Sequence, residues 1–268
     1  FLIKSSLLSN QDLIYKTIKK LLNDFAGAWI FYTIFPQLPL ISPEFKNIAQ
    51  FAPLIGIIIG ILQSLIFLVF YDNNWSVEGS SLICIASGYL ITGGLHLDGF
   101  MDTIDGIYAG KKKRLKAMKD SRVGAFSVQA LILITFIQFA SLLKLQTQIV
   151  YILPICLFLG RFSTLIYIEK FKYITYKKKS ISHKKYWRGF FKEAKVSLLV
   201  FFAISFVLVK LFVINIFTVL LLSLIGLFYC WLVINFLGSK IKGFNGDTCG
   251  ASVVLVETIM LFTCSIIL

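Results

Sequence analysis

Residues 93–126 read GGLHLDGFMDTIDGIYAGKKKRLKAMKDSRVGAF, and they gather seven of the 27 lysines and arginines and four of the 13 acidic residues between long apolar runs. Asp98, Asp102 and Asp105 stand at i, i+4 and i+7, so on a helix they share an arc of about 60°. Like charges at that spacing destabilise a helix by a few tenths of a kcal/mol per pair, and the stripe needs a cation. Two are on offer: the run Lys111, Lys112, Lys113 and Arg114, or a hard divalent ion such as Mg²⁺. The outer two Cα atoms lie roughly 10.5 Å apart along the axis, too far for one octahedral ion to reach all three. Two ions, or one ion with an outer carboxylate, fit better.

A solvated acidic face after a membrane span gives the same pattern, but the neighbours favour chemistry. His96 begins the stripe, as a general base or as a polar residue at a helix end. Gly99 sits inside the stripe at a cost of about 1 kcal/mol against alanine, which predicts close approach by another backbone or a ligand. Gly106 is expected to close the helix. Downstream, Lys119, Asp120, Ser121 and Arg122 combine donors suited to phosphate with one more carboxylate.

Around this stretch the chain is apolar. Hydrophobic residues make up 57% of its 268 positions, and the apolar runs exceed what one soluble core needs. The expected fold is all-α: a polytopic transmembrane helical bundle forming one integral membrane domain over residues 1–268. Seven spans are expected, at about 49–71, 81–95, 124–143, 149–168, 196–214, 216–237 and 250–268. The second is short unless its helix runs on into the aspartate stripe. Residues 12–25 pattern as an amphipathic helix suited to the membrane surface, and residues 26–41, broken by Pro36 and Pro39, as an interfacial or re-entrant segment. No signal-peptide pattern stands at the start.

The net charge of +14 sorts by loop. Alternate loops hold 24 of the 27 basic residues, which places the amino terminus, the aspartate stripe, residues 170–195 and the GDTCGA turn together on the cytoplasmic side. That distribution argues for a lipid bilayer as partner and against nucleic acid. The lysine-rich YKKKSISHKK segment suits anionic lipid, with His183 solvated. Five cysteines, at 84, 156, 230, 249 and 264, lack metal-ligand spacing and read as small core residues. Arg161 falls inside a span and must pair or face a polar cavity, and Glu257 in the last span is a candidate partner.

HLDGFMDTIDG followed by MKDSRVGAF resembles the cobalamin synthase family, the adenosylcobinamide-GDP ribazoletransferases. FYTIFPQLP, FAPLIGIIIG, LGR at Arg161 and GDTCGA follow in the family's order. The resemblance implies a bacterial inner-membrane enzyme of corrinoid and vitamin B12 biosynthesis, its active face cytoplasmic. It would join adenosylcobinamide-GDP to α-ribazole, or to the 5′-phosphate of α-ribazole, with release of GMP. It further implies Mg²⁺ on Asp98, Asp102 and Asp105, with Asp247 as a second metal or phosphate-site residue. Lys119, Asp120, Ser121, Arg122 and Arg161 would serve substrate, and His96 or one aspartate would deprotonate the acceptor. An oligomer stays open.

Two other readings compete. CDP-alcohol phosphotransferases begin D-x-x-D-G-x-x-A-R; Asp102, Asp105, Gly106 and Ala109 match, but Gly110 replaces the arginine and the later paired aspartates are absent. A secondary transporter would explain Arg161 and Glu257, yet transporters place their sites near the midplane, whereas this acidic cluster abuts a basic loop.

Overall fold

Glycine and proline punctuate an otherwise helical chain. The computed structural model describes residues 2–175, 183–211 and 213–268, so most of the YKKKSISHKK segment and the His183 side chain lie outside the described residues. The helices are α1 (Leu2–Tyr32), α2 (Ala52–Asp72), α3 (Val77–Ile91), α4 (Leu95–Tyr108), the short α5 (Arg114–Ala117), α6 (Ala125–Leu145), α7 (Ile149–Lys170), α8 (Phe190–Lys210), α9 (Ile216–Ile241) and α10 (Gly246–Ile267). Among the described residues there is no strand, only an isolated bridge between Tyr173 and Phe244.

α7 is the central helix. From Ile152 to Ile168 almost every side chain is buried, as expected of a helix apolar on all sides. Small residues let its neighbours close on it. A Cβ on Gly56 would stand 2.4 Å from the Leu157 carbonyl oxygen, one on Gly60 2.5 Å from the Pro154 Cα, and one on Gly226 2.4 Å from a Leu159 methyl. Without a hydrophobic drive inside a bilayer, such backbone approach is what holds helices together. α10 packs antiparallel to α7, Ser163 donating to Ser252 at 3.0 Å.

The protein is a multi-pass membrane protein. Four stretches are long and apolar enough to cross: Ile48–Asp72, Ala125–Lys170, Ile216–Ile241 and Gly246–Ile267. α3 and α4 pass only as a pair, bent by 86°. Against the expected seven spans, two differences have clear causes. The 46-residue stretch holds both α6 and α7, separated at a 3₁₀ turn where Gln146 takes φ 48°. The span expected over 196–214 is α8, which starts earlier and carries Lys192, Glu193, Lys195 and Lys210.

Three local expectations also change. Helix α1 runs on to Tyr32, because Pro36 and Pro39 disturb only the chain beside them. The irregular segment therefore begins at Thr33, and it folds back until a Cβ on Gly27 would strike the Glu44 carbonyl. The second span does not continue into the aspartate stripe: Gly93 and Gly94 take φ 58° and 72°, turning the chain sharply before α4. Gly106 does not close α4, which extends to Tyr108; it makes room for Met118 folding back from the following loop. The cysteines are free and buried, except Cys249, which is half-buried.

Helix packing at the α2–α7 seam predicts that Gly60→Val costs about 1–3 kcal/mol. Thermal unfolding in detergent should show the lower midpoint, and an unchanged midpoint contradicts this packing.

Candidate active site

α4 and α10 cross glycine against backbone. A Cβ on Gly99 would lie 2.8 Å from the Asp247 carbonyl oxygen, and one on Gly250 3.0 Å from the carbonyl oxygen of His96. The backbone expected to approach Gly99 is therefore that of Asp247. Asp102 and Asp105 stand half-buried on the second half of α4.

The first turn of α10 is fixed by a residue absent from the sequence reading. Asn245 caps the helix: its side chain accepts from the Thr248 N–H at 2.9 Å, while its own N–H donates to the Thr248 hydroxyl at 2.9 Å. Asp247 is the second residue of the helix. It accepts from the Asn245 amide at 2.9 Å and turns toward α4. An N-x-x-T spacing before an apolar run was the available signal, as the counterpart of a capping box.

Asp98, Asp102, Asp105 and Asp247 act on one another electrostatically. Partial burial, then the charges of Asp247 and Asp98, push the Asp102 carboxyl up to about 6, with Lys119 opposing. Lys119 also reaches Asp247. The lysine run is not the counter-charge: Lys111, Lys112 and Lys113 are exposed, and Arg114 is buried, donating to the Lys240 carbonyl at the end of α9.

Asp105 is held differently. Its Oδ2 accepts from the Gly124 N–H and the Ser127 hydroxyl, both at 2.9 Å, so it caps α6 from a distance while lining the cleft. A Cβ on Gly124 would meet this carboxylate at 2.2 Å, which explains the glycine in RVGAF. Gly124 and Ser127 were likewise missed, since nothing in sequence separation of about twenty residues announces a remote cap.

An open cleft of about 330 Å³ follows, bordered by Asp98, Asp102, Asp105, Lys119, Asp120, Ser121 and Arg122. Asp120 grips Arg122 through Nε at 3.0 Å and Nη2 at 2.7 Å, and this pairing holds the Asp120 carboxyl down to about 2. The Arg122 side chain is nonetheless 88% exposed, with its charge presented to solvent. A second cavity of about 150 Å³ lies between α1, α4, α7 and α10, and Asp98 borders both.

Among the described residues no three His, Cys, Asp or Glu side chains are placed to enclose a metal ion alone. The carboxylates still suit Mg²⁺, which keeps several waters and takes one or two carboxylates plus substrate phosphate.

His96 and Arg161 stand apart from the open cleft. His96 is buried, its ring stacked at 6.2 Å on Tyr32, between the second cavity and a smaller core cavity of about 60 Å³. Arg161 borders only that core cavity and pairs with Glu257. The structure does not bring Arg161 to the aspartates.

Fold and site together define a membrane-embedded helical protein with a carboxylate and cationic cleft at one end of its bundle. The chain belongs to the cobalamin-5-phosphate synthase family, whose profile matches residues 24–265. Similar proteins include adenosylcobinamide-GDP ribazoletransferases of Prochlorococcus marinus: 42% identical in strain SARG and 40% in strain MIT 9313, each alignment covering 92% of this chain and 96% of the relative. That of Trichormus variabilis is 31% identical over 93% of this chain and 99% of its own. No solved structure matches.

Glu257→Gln should cost about 3–5 kcal/mol, because it strands the Arg161 charge, while Arg161→Met combined with Glu257→Leu should recover most of the loss. Thermal midpoints of the two variants in detergent check this; equal losses would refute the pairing as the cause.

Proposed function

We propose that this protein is an adenosylcobinamide-GDP ribazoletransferase of the bacterial inner membrane, dependent on Mg²⁺, with its cleft on the cytoplasmic side. The observation that carries the reading is the cleft itself: carboxylates from α4 face Lys119 and the Asp120-held Arg122 across one opening. That is a site for a pyrophosphate bridged to carboxylates by a cation. Charge sorting along the chain supports the cytoplasmic face. The relatives' names support the substrates, and the apolar helices support a membrane location.

In the reaction a hydroxyl oxygen of α-ribazole, or of its 5′-phosphate, bonds to the cobinamide-side phosphorus of adenosylcobinamide-GDP. The bond from that phosphorus to the bridging oxygen breaks, and GMP leaves with the electron pair. Asp102 and Asp247, drawn together by the α4–α10 crossing, would hold Mg²⁺, which supplies charge neutralisation for the pyrophosphate and the departing phosphate. Lys119 contacts phosphate oxygen, and Arg122 offers its planar fork, steadied by Asp120. Ser121 adds a hydroxyl donor at the rim. Asp105 keeps the loop before α6 in place. Asp98 borders both cavities and is assigned the acceptor's proton. Positioning and electrostatics suffice, with no covalent enzyme intermediate.

No observation favours the CDP-alcohol reading or the transporter. Arg161 and Glu257, which suggested transport, pair with each other inside the bundle.

Asp102→Asn should abolish GMP release from the substrate pair while the protein still inserts and extracts normally; near-normal turnover at saturating Mg²⁺ would contradict the carboxylate site. Arg122→Ala should lower kcat/KM for adenosylcobinamide-GDP about 10–100-fold, the cost of losing one charge-assisted phosphate contact. An unchanged kcat/KM removes Arg122 from the site.

A further inference from the structure

Among the described residues, α1 is not one of the stretches apolar enough to cross a membrane, yet its outer face is not wholly polar. Tyr15, Ile18 and Leu22 stand at i, i+3 and i+7, within an arc of about 60°, and all three are exposed. Lys16, Lys19 and Lys20, also exposed, share the flank beside them. The chain that leaves α1 returns along it and is held in shape. The Trp29 indole donates to the Pro36 carbonyl at 3.2 Å, the Gln37 amide to the Ile41 carbonyl at 3.1 Å, and the Glu44 N–H to the Asn23 carbonyl at 2.9 Å.

Between the helix and the returning chain lies an open cleft of about 320 Å³. Ile18 and Leu22 line it from α1, Leu40 and Ile41 from the returning chain, with Lys19 and Ser42 as polar members. Leu40 takes φ 64° and is wholly exposed. A leucine in the left-handed region is strained, and no protein atom covers its side chain to offset that strain. Transfer of the side chain into hydrocarbon does offset it.

We infer that this cleft binds an anionic phospholipid, an acyl chain lying between Ile18, Leu22 and Leu40 and the phosphate on Lys16 and Lys19. The inference does not depend on the ribazole-transfer reading. Charge selects the occupant. Among the described residues no carboxylate forms an ion pair with Lys16 or Lys19, so cations stand uncompensated beside an apolar slot. A zwitterionic headgroup would bring its own ammonium to these lysines, whereas an anionic one adds only attraction. A second copy docked about a two-fold axis would set lysine against lysine. A soluble anion would leave the three apolar side chains in water. The lipid also reaches the active end mechanically: α1 continues unbroken to Tyr32, whose ring stacks on His96 of α4 at 6.2 Å, so a lipid on its first half anchors a rod whose far end touches α4.

The test uses the full chain in phosphatidylcholine nanodiscs doped with phosphatidylglycerol that carries a diazirine on one acyl chain, with adducts located by peptide mass mapping after irradiation. Adducts are expected on residues 15–23 and 37–45, about fivefold or more above those from a phosphatidylcholine probe with the same chain. Lys16→Glu combined with Lys19→Glu should cut them about tenfold or more, while adducts on the exposed Leu220 and Leu224 of α9 stay as in the parent. Leu40→Gly, which relieves the strained backbone and so does not threaten folding, should lower them as well. Equal marking by both probes, or marking that survives either change, overturns the assignment. Marking abolished by soluble inorganic phosphate overturns it in favour of a free anion. Adducts on α9 with none at this cleft overturn it too, because something other than lipid then covers the site or nothing does.

Discussion

Everything at the active end depends on two helices meeting without side chains between them. Gly99 on α4 and Gly250 on α10 each face the other helix's backbone at a distance where a methyl group would collide. An α4 carboxylate and the first turn of α10 can share one small volume only through that contact. Were either position alanine, the helices would separate or slide, and Asp247 would leave the reach of Asp98 and Asp102. A mid-helix glycine lowers helix stability by about 1 kcal/mol. Here that cost is offset by a charge arrangement that neither helix could create alone.

The resulting electrostatics are those of a site finished by its ligands. Four carboxylates influence one another, yet no three close around a point, and the raised Asp102 group records its burial first and the repulsion of Asp247 and Asp98 after it. In the proposed reaction a pyrophosphate would bring oxygen ligands and negative charge together, and a cation between protein and substrate would relieve that repulsion. Lys119 and the Asp120–Arg122 pair would then balance the substrate's remaining charge from elsewhere on the cleft. Such a division suits the rim of a bundle, where water reaches the phosphates while the α4–α10 seam keeps the carboxylates ordered.

Much of this was legible in the sequence because it is written in short-range spacing. The i, i+4, i+7 aspartates fixed one face of α4, the glycine inside them announced a close approach, and Asp120 two residues from Arg122 allowed the pair. What stayed hidden needed the third dimension. Asp105 spends two hydrogen bonds capping α6, a partnership nineteen residues away along the chain. Lysines 111–113 looked like the nearest counter-charge in sequence, but Arg114 anchors to the end of α9 and turns them outward. Hydropathy marked where apolar segments lie but not how they break. The sharp turn at Gly93–Gly94 and the reversal at Gln146 are backbone events of two residues and one, inside apolar surroundings.

The buried ion pair bears on the site through orientation. Arg161 on α7 and Glu257 on α10 pair deep in the bundle, where desolvation roughly cancels attraction, so the pair adds little net stability over apolar replacements. Its value lies in register. α10 can slide along α7 on a surface of serine, glycine and small apolar side chains that has few features of its own. One charge-to-charge contact, together with Ser163 on Ser252, removes that freedom. Because α10 is a rigid rod capped by Asn245, fixing Glu257 against Arg161 also fixes how far Asp247 stands from α4. Arg161, which in the sequence looked as if it should touch substrate, thus acts on the site through Glu257, ten positions along α10 from Asp247, by setting the height at which the first turn of α10 meets the aspartates.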